Sequence, residues 1–258
     1  MATRARKKHV QLTLDAARRP TGRGGWRPNA GRPRGERVQH VARATFRADK
    51  PQHVTLRLVA GVPSLRRGRL ARIVRDAIRG CHKPWFRVVH FAVLSNHVHV
   101  IAEAADAPHL ARGVQGLAVR IARRVNHALE RRGALFVDRY HARALSTPRE
   151  VRNCLRYVLL NQRHHVAERV LDRDWIDPCS SAAWFDGWTR ALVVDAAWKH
   201  ELLAIRSPVV AATSWLLTTG WRRHGLIAVD EPMPHGRLAP RGRGMSEGVR
   251  ESAAAQKA

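Results

Sequence analysis

Hydrophobic positions are scattered at both ends of the chain and periodic between them. His53-Val54-Thr55-Leu56-Arg57-Leu58-Val59 alternates apolar and polar side chains as a strand does, and Gly61-Val62-Pro63 stops it. Over 65–80, Leu65, Leu70, Ile73, Val74, Ala77 and Ile78 recur at helical spacing with arginines on the other face, and Gly80 can close the helix. Phe86 to Leu94 is a nearly continuous apolar run, the mark of a buried central strand. Ser95-Asn96 makes a tight turn, and 97–104 returns as a second strand. Pro108 opens a helix to about Arg132 with Leu110, Val114, Leu117, Ile121, Val125 and Leu129 as its apolar stripe, ended by Gly133. A short strand-like piece, 135–145, follows. Thr147, Pro148 and Glu150 then supply an N-cap, a first-turn proline and a capping box for a helix to about 166.

The order strand, helix, strand, strand, helix, strand, helix predicts an α+β fold. Its form is a ferredoxin-like or RRM-like split βαβ antiparallel sheet with helices on one face. Residues 1–50 read as a basic, extended arm, and 51–185 as the folded domain. Residues 186–231 read as a helical extension with candidates in 195–205 and 207–227, and 232–258 as a disordered Pro/Gly/Arg-rich tail. Trp215-Leu216-Leu217 with Trp221-Arg222-Arg223 is expected to be a packing element with a basic rim.

Charge narrows the partner. Over 258 residues, 47 are Lys or Arg and 20 are Asp or Glu, a formal net charge of +27. Only six of the basic residues are Lys, and an arginine bias can reflect base composition, but the shortage of acids has no such origin. A surface this basic attracts polyanions through counterion release. Within the arm, Gly31-Arg32-Pro33-Arg34-Gly35 matches the core of an AT-hook, whose arginines lie along a narrow minor groove, and equally a solvated basic linker. Three widely spaced cysteines fit neither a disulfide framework nor a zinc ribbon and point to a reducing cytosol. The N-terminus leads into no apolar stretch, and no run approaches the roughly 18 apolar residues of a membrane span. A cytoplasmic location without a membrane partner is expected.

The candidate chemistry lies on the second strand of the hairpin and the last predicted helix. Period two sends His97 and His99 to one face, where two imidazoles can converge on one divalent cation. Glu103 shares that face and is an alternative ligand. Tyr157 and Asn161 are four residues apart and share one helix face. A phenol with a solution pKa near 10 is a weak nucleophile unless the phosphate it attacks is stabilised. A cation held by His97, His99 and the Asn161 amide oxygen would do that. Each residue alone has a plainer reading: half-exposed strand histidines, a core tyrosine, a polar residue near a helix end.

Phe91-Ala92-Val93-Leu94-Ser95-Asn96-His97-Val98-His99 resembles the apolar strand, turn and His-hydrophobic-His motif of the single-tyrosine HUH transposases. These include insertion-sequence transposases and the REP-associated tyrosine transposases of bacteria. Leu135-Phe136-Val137-Asp138-Arg139-Tyr140 is similar to their Leu-Trp-Gln-x-x-aromatic segment, and Leu155-Arg156-Tyr157-Val158-Leu159-Leu160-Asn161 to their Tyr-Ile-x-x-Asn-Pro helix. The resemblance spans about 50–185. It implies a Tyr157 nucleophile, ligands His97, His99 and Asn161, an Mg2+ or Mn2+ ion, and nicking and rejoining of single-stranded or hairpin DNA through a 5′-phosphotyrosine. Gln162 departs from the family's Pro, and Tyr140 is the reserve nucleophile should the alignment slip by a segment. Arg120, Arg123, Arg124, Arg139, Arg143, Arg32 and Arg34 are the candidate DNA contacts. The competing readings are a non-catalytic DNA- or RNA-binding protein of the same fold, a domesticated transposase, and a histidine-dependent metal hydrolase. The aromatic motifs on which RNA-binding sheets stack bases are not visible.

Overall fold

Four strands, β1 (Gln52–Arg57), β2 (Phe86–Val93), β3 (His97–Ala104) and β4 (His141–Ala144), form one sheet in the order β2-β3-β1-β4, every neighbour antiparallel. With α1 (Gly68–Arg79), α2 (Ala107–Ala128) and α3 (Pro148–His165) between and after them, this is the α+β, split βαβ arrangement expected. The computed structural model describes residues 46–137, 139–165, 175–190 and 206–232. The basic arm up to residue 45, with Arg32 and Arg34, the predicted helix at 195–205 and the tail beyond 232 lie outside the described residues, as do the side chains of 163–165.

The helices do not all lie on one face. Val54, Leu56, Val98, Val100 and Ala102 point into one core with α1 and α2, built on Leu70, Val74, Ile78, Val114, Leu117 and Ile121. Ile101, Val89 and Ala92 point the other way, into a second core with Val151, Leu155, Val158 and Leu159 of α3. The alternation of β1 and β3 reads as one dry and one wet face, yet seven of the eight β3 residues are buried, His99 and Glu103 included. Polar side chains on a covered face need partners there. This second layer carries α3 to the face of the sheet that bears His97 and His99.

β2 is an edge strand, not a central one. Its continuous apolar run reflects burial on both faces together with a bulge between Val88 and His90, which turns Val88 and Phe91 to the α1–α2 side. The free edge is covered: Val93 N–H donates to Cys179 O, Ser181 N–H to Phe91 O, and Val210 N–H to Val88 O. α2 packs tightly on this strand, and a Cβ at Gly113 would stand 2.2 Å from the Phe86 ring. α2 stops at Ala128, short of Gly133, because Glu130 takes a left-handed φ of 50°. Of 135–145 only the end is strand. Phe136 makes a lone bridge to Leu58, and pairing with β1 begins at His141.

α3 begins as its sequence predicts. Glu150 N–H donates to Thr147 Oγ1, while the Ser146 and Thr147 N–H groups donate to Glu150 Oε2. Its buried stripe packs on Ile176, Phe185, Trp188, Leu216, Leu217 and Trp221. The helical turn Trp215–Thr218 and the 3-10 turn Gly220–His224 are packing elements, as expected, with Arg222 and Arg223 over the Trp221 and Trp215 rings. Among the described residues no helix is long and apolar enough to cross a membrane.

Candidate metal centre and nucleophile

The hairpin fixes the first half of the site. Leu94 N–H donates to His97 O across the Ser95-Asn96 turn, so His97 starts β3 with its side chain on the α3 face. His97 and His99 then face each other, Nε2 to Nε2, at 3.0 Å. His97 Nδ1 lies 2.7 Å from Asn96 Oδ1, an acceptor, so Nδ1 carries the proton and Nε2 the lone pair. His99 either donates an Nε2 proton to that lone pair or, with its proton on Nδ1, turns a second lone pair toward it, an arrangement that a cation would relieve. Two ligands at about 2.1 Å and right angles around one ion are themselves about 3.0 Å apart. The pair therefore suits a single divalent ion.

α3 supplies the other half. Tyr157 Oη lies 3.3 Å from His99 Nε2, and the Tyr157 ring meets His99 edge-on. Burial pushes the phenol's pKa up, against a hydrogen bond from the Asn161 amide that lowers it. Asn161 is 3% exposed, and its Oδ1 has no hydrogen-bond partner. A buried amide oxygen with nothing to accept from is costly unless a cation or ordered water meets it. The donor set thus fits a hard or borderline divalent ion: two imidazoles and one amide oxygen. Among the described residues no group of three or more His, Cys, Asp and Glu side chains could hold a metal without the amide.

A residue absent from the sequence-derived set stands behind His99. His53 Nε2 and Thr55 Oγ1 each lie 3.1 Å from His99 Nδ1, and the His53 ring packs 5.0 Å from that of His99. Both partners can donate or accept, so they satisfy Nδ1 whether the ring carries its proton there or on Nε2. That freedom suits an imidazole whose Nε2 alternates between a proton and a metal. The register puts it there: Thr55 is opposite His99 across β1–β3, with His141 opposite Thr55 on the far side. Arg143 stands in register with His53, its Nε and Nη2 buried without partners, and Arg139 is exposed just before β4.

Burial pushes His53 down to about 3, helped by Arg143, His141 and His97, and His99 down to about 2, helped by His53 and His97. Both folded values lie below the unfolded value near 6.5. The native state therefore excludes protons that the unfolded chain takes up as the pH falls. The stability is intact above about 6.5 and is lost from there toward 3. At pH 5.5 each imidazole is expected to cost on the order of 1 kcal/mol. Urea midpoints of the metal-free protein at pH 7.5 and 5.5 measure this, and His53→Gln should flatten the dependence. An unchanged midpoint would contradict neutral, buried rings.

Other expected participants lie elsewhere. Glu103 shares the face but is taken: it accepts from Thr213 N–H, Thr213 Oγ1–H and Ser214 N–H, anchoring the start of the 215–218 turn. Tyr140 packs against the α1–α2 core, on the opposite side of the sheet from the histidines. Cys154 is on the same helix as Tyr157, but burial pushes its thiol up to about 12, which removes it as a nucleophile. Arg120, Arg123 and Arg124 belong to α2, across the sheet from the site.

No protein-family model and no curated protein matches the chain. Among solved structures it is similar to a REP-associated tyrosine transposase bound to a REP hairpin, at 18% sequence identity and a TM-score of 0.44, over 56% of this chain and 82% of the other.

Proposed function

We propose that the chain nicks and rejoins DNA, with Tyr157 as nucleophile and His97, His99 and Asn161 holding Mg2+ or Mn2+. The observation that carries the reading is Tyr157 Oη at 3.3 Å from a histidine nitrogen that itself faces a second one at 3.0 Å. A divalent ion, when bound, polarises a phosphoryl oxygen and offsets the charge building on it. The chain does the rest. α3 and β3 are rigid elements that hold the hydroxyl beside the metal-binding side chains, which lowers the orientational cost of attack. The Tyr157 Oη–P bond forms as the P–O3′ bond breaks. The phenol releases its proton, and the departing 3′ oxygen takes one up. The products are a 5′-phosphotyrosine and a free 3′-hydroxyl, and attack by that or another 3′-hydroxyl reverses the step without ATP. The net charge of +27 supports a polyanionic substrate, single-stranded or hairpin DNA.

Incubation with a hairpin oligonucleotide and Mn2+, followed by a denaturing gel, tests the reading. A covalent adduct supports it. Cutting without an adduct means a hydrolase, and binding without cutting means a non-catalytic or domesticated nucleic-acid-binding protein.

His53 is expected to set metal affinity by holding His99. His53→Ala should weaken Mn2+ binding by about 10- to 100-fold, and His53→Gln, which keeps an amide near Nδ1, should recover most of it. Titration of free Mn2+ followed by electron paramagnetic resonance reads this directly. Equal affinity in all three proteins would leave His53 as packing alone.

A further inference from the structure

The face of the sheet that bears His97 and His99 has two unlike halves. The core beneath α3 takes Val89 and Ala92 from β2 and Ile101 from β3, and no hydrophobic side chain from β1 or β4. Val54, Leu56 and Ala142 point to the α1–α2 side, so His53, Thr55, Arg57, His141 and Arg143 point to the α3 side. The histidine pair thus stands on the border between a dry half and a polar, basic half.

Register places the two arginines of the basic half. Arg57 is directly opposite His97 across β1–β3, where facing Cβ atoms are about 4.5–5.5 Å apart. It is exposed and makes no ion pair with a described residue, so the fold has no use for its charge. Arg143 is opposite His53 across β1–β4 and is half-buried. Its Nη1 lies 3.6 Å from Glu150 Oε1, too far for a hydrogen bond, and Glu150 Oε2 is already taken by the Ser146 and Thr147 N–H groups. Arg143 Nε and Nη2 are buried with no acceptor at all. Buried donors in that condition cost free energy, which an anion beside them recovers after a small rotation of the side chain. The rung of His99 and Thr55 lies between those of the two arginines, and Tyr157 sits over it, its Oη 3.3 Å from His99 Nε2 and its ring 6.0 Å from that of His53. From His53 to Arg57, β1 spans roughly 13 Å, so the two guanidiniums serve different phosphates.

We propose that Arg57 and Arg143 position the strand that Tyr157 attacks, each holding one backbone phosphate, on opposite sides of the phosphate at the histidine pair. The basic half of the face is then the floor along which that strand lies. Neither β1 nor β4 carries a Phe, Tyr or Trp, so the floor grips charge and does not stack bases. Arg57 acts beside the metal-binding pair without belonging to it, and Arg143 trades a poor contact with Glu150 for a phosphate. The inference rests on the proposed function for where the chemistry lies, and on register and burial for the two arginines.

The experiment uses the full chain and a fluorescein-labelled hairpin oligonucleotide with a single-stranded extension, its binding read by anisotropy without metal and its adduct formation with Mn2+. A neutral methylphosphonate replaces one phosphate of the extension at a time. In wild type, two positions that are not adjacent are expected to weaken binding about tenfold each when neutralised. Arg57→Gln should bind about tenfold more weakly than wild type and become indifferent to one of those positions, and Arg143→Gln to the other. Each variant should also lower the slope of log affinity against log salt by about 0.7, the value for one phosphate of a single strand. Arg57→Lys and Arg143→Lys should keep most of the affinity and the slope, and they guard against a Gln variant that folds poorly, with thermal melts as the check. Mn2+ affinity should stay within about twofold of wild type in all four variants, which separates strand positioning from damage to the histidine pair. Gln variants with wild-type affinity and slope, an unchanged response to every neutralised phosphate, loss of the same phosphate in both variants, or loss of Mn2+ binding would each overturn the proposal. Absence of adduct in wild type with the binding results intact would instead remove Tyr157 chemistry and leave the two phosphate contacts standing.

Discussion

Tyr157→Phe is expected to lose the covalent protein–DNA adduct and at least a thousandfold in strand cleavage with Mn2+, the scale seen when a nucleophile is deleted. The substitution removes one oxygen, and the ring keeps its edge-on contact with His99, so the fold and metal binding should persist. Mn2+ affinity and the urea midpoint of the variant are therefore expected to match wild type, which separates lost chemistry from lost structure. Tyr140→Phe is the control. Its ring packs with the α1–α2 core, across the sheet from the histidine pair, so it should form adduct at the wild-type rate. Adduct formation by Tyr157→Phe would sink the assignment, and its loss in Tyr140→Phe alone would transfer it.

What could be read in the sequence follows a physical division. His97 and His99 are two residues apart on one strand, and Tyr157 and Asn161 are four apart on one helix. The geometry that joins each pair is local, and periodicity alone gives it. The capping box at Thr147 and Glu150 is local in the same sense. His53 is 46 residues from His99 and meets it only through the β1–β3 register, which no pattern within β1 reveals. Histidine and threonine at alternate positions of β1 suit a solvent-facing strand face equally well, and only the structure, with His53 buried, shows that the face is covered. The misplaced helix layer has the same source. Alternation reports which side chains share a face, not what lies on it. Glu103 was eligible by parity as a ligand, but Thr213 and Ser214, about 110 residues later, take its oxygens. Edge and central positions were likewise invisible for β2, since a covered edge strand is as apolar as a central one.

The largest expected loss of stability is at Asp177, far in sequence from anything the patterns singled out. Its carboxylate, with a side chain 2% exposed, accepts both Arg66 Nη1–H and Nη2–H at 2.9 and 2.8 Å and also the Cys179 N–H. Arg66 Nη1 donates as well to Val93 O. The pair thus ties 177–181 to the open edge of β2, where Cys179 O and Ser181 N–H continue the ladder. Asp177→Ala would strand a largely buried guanidinium without its counter-charge, at a cost of about 3–5 kcal/mol by urea denaturation. Arg66→Met/Asp177→Leu removes both charges and should recover most of that loss, because two desolvated ions are traded for apolar contact. A cost under about 1 kcal/mol for Asp177→Ala, or a double variant as unstable as the single, would show that the pair does not hold the edge. The effect should reach the active centre. Ile176, Ala182, Phe185 and Trp188 of this segment pack on Leu155, Val158 and Leu159, the stripe of α3 that seats Tyr157 over the sheet. Even at temperatures where Asp177→Ala remains folded, adduct formation should fall while Mn2+ binding by His97 and His99 changes less, since β3 is held by β1 and β2 and the nucleophile's helix is not.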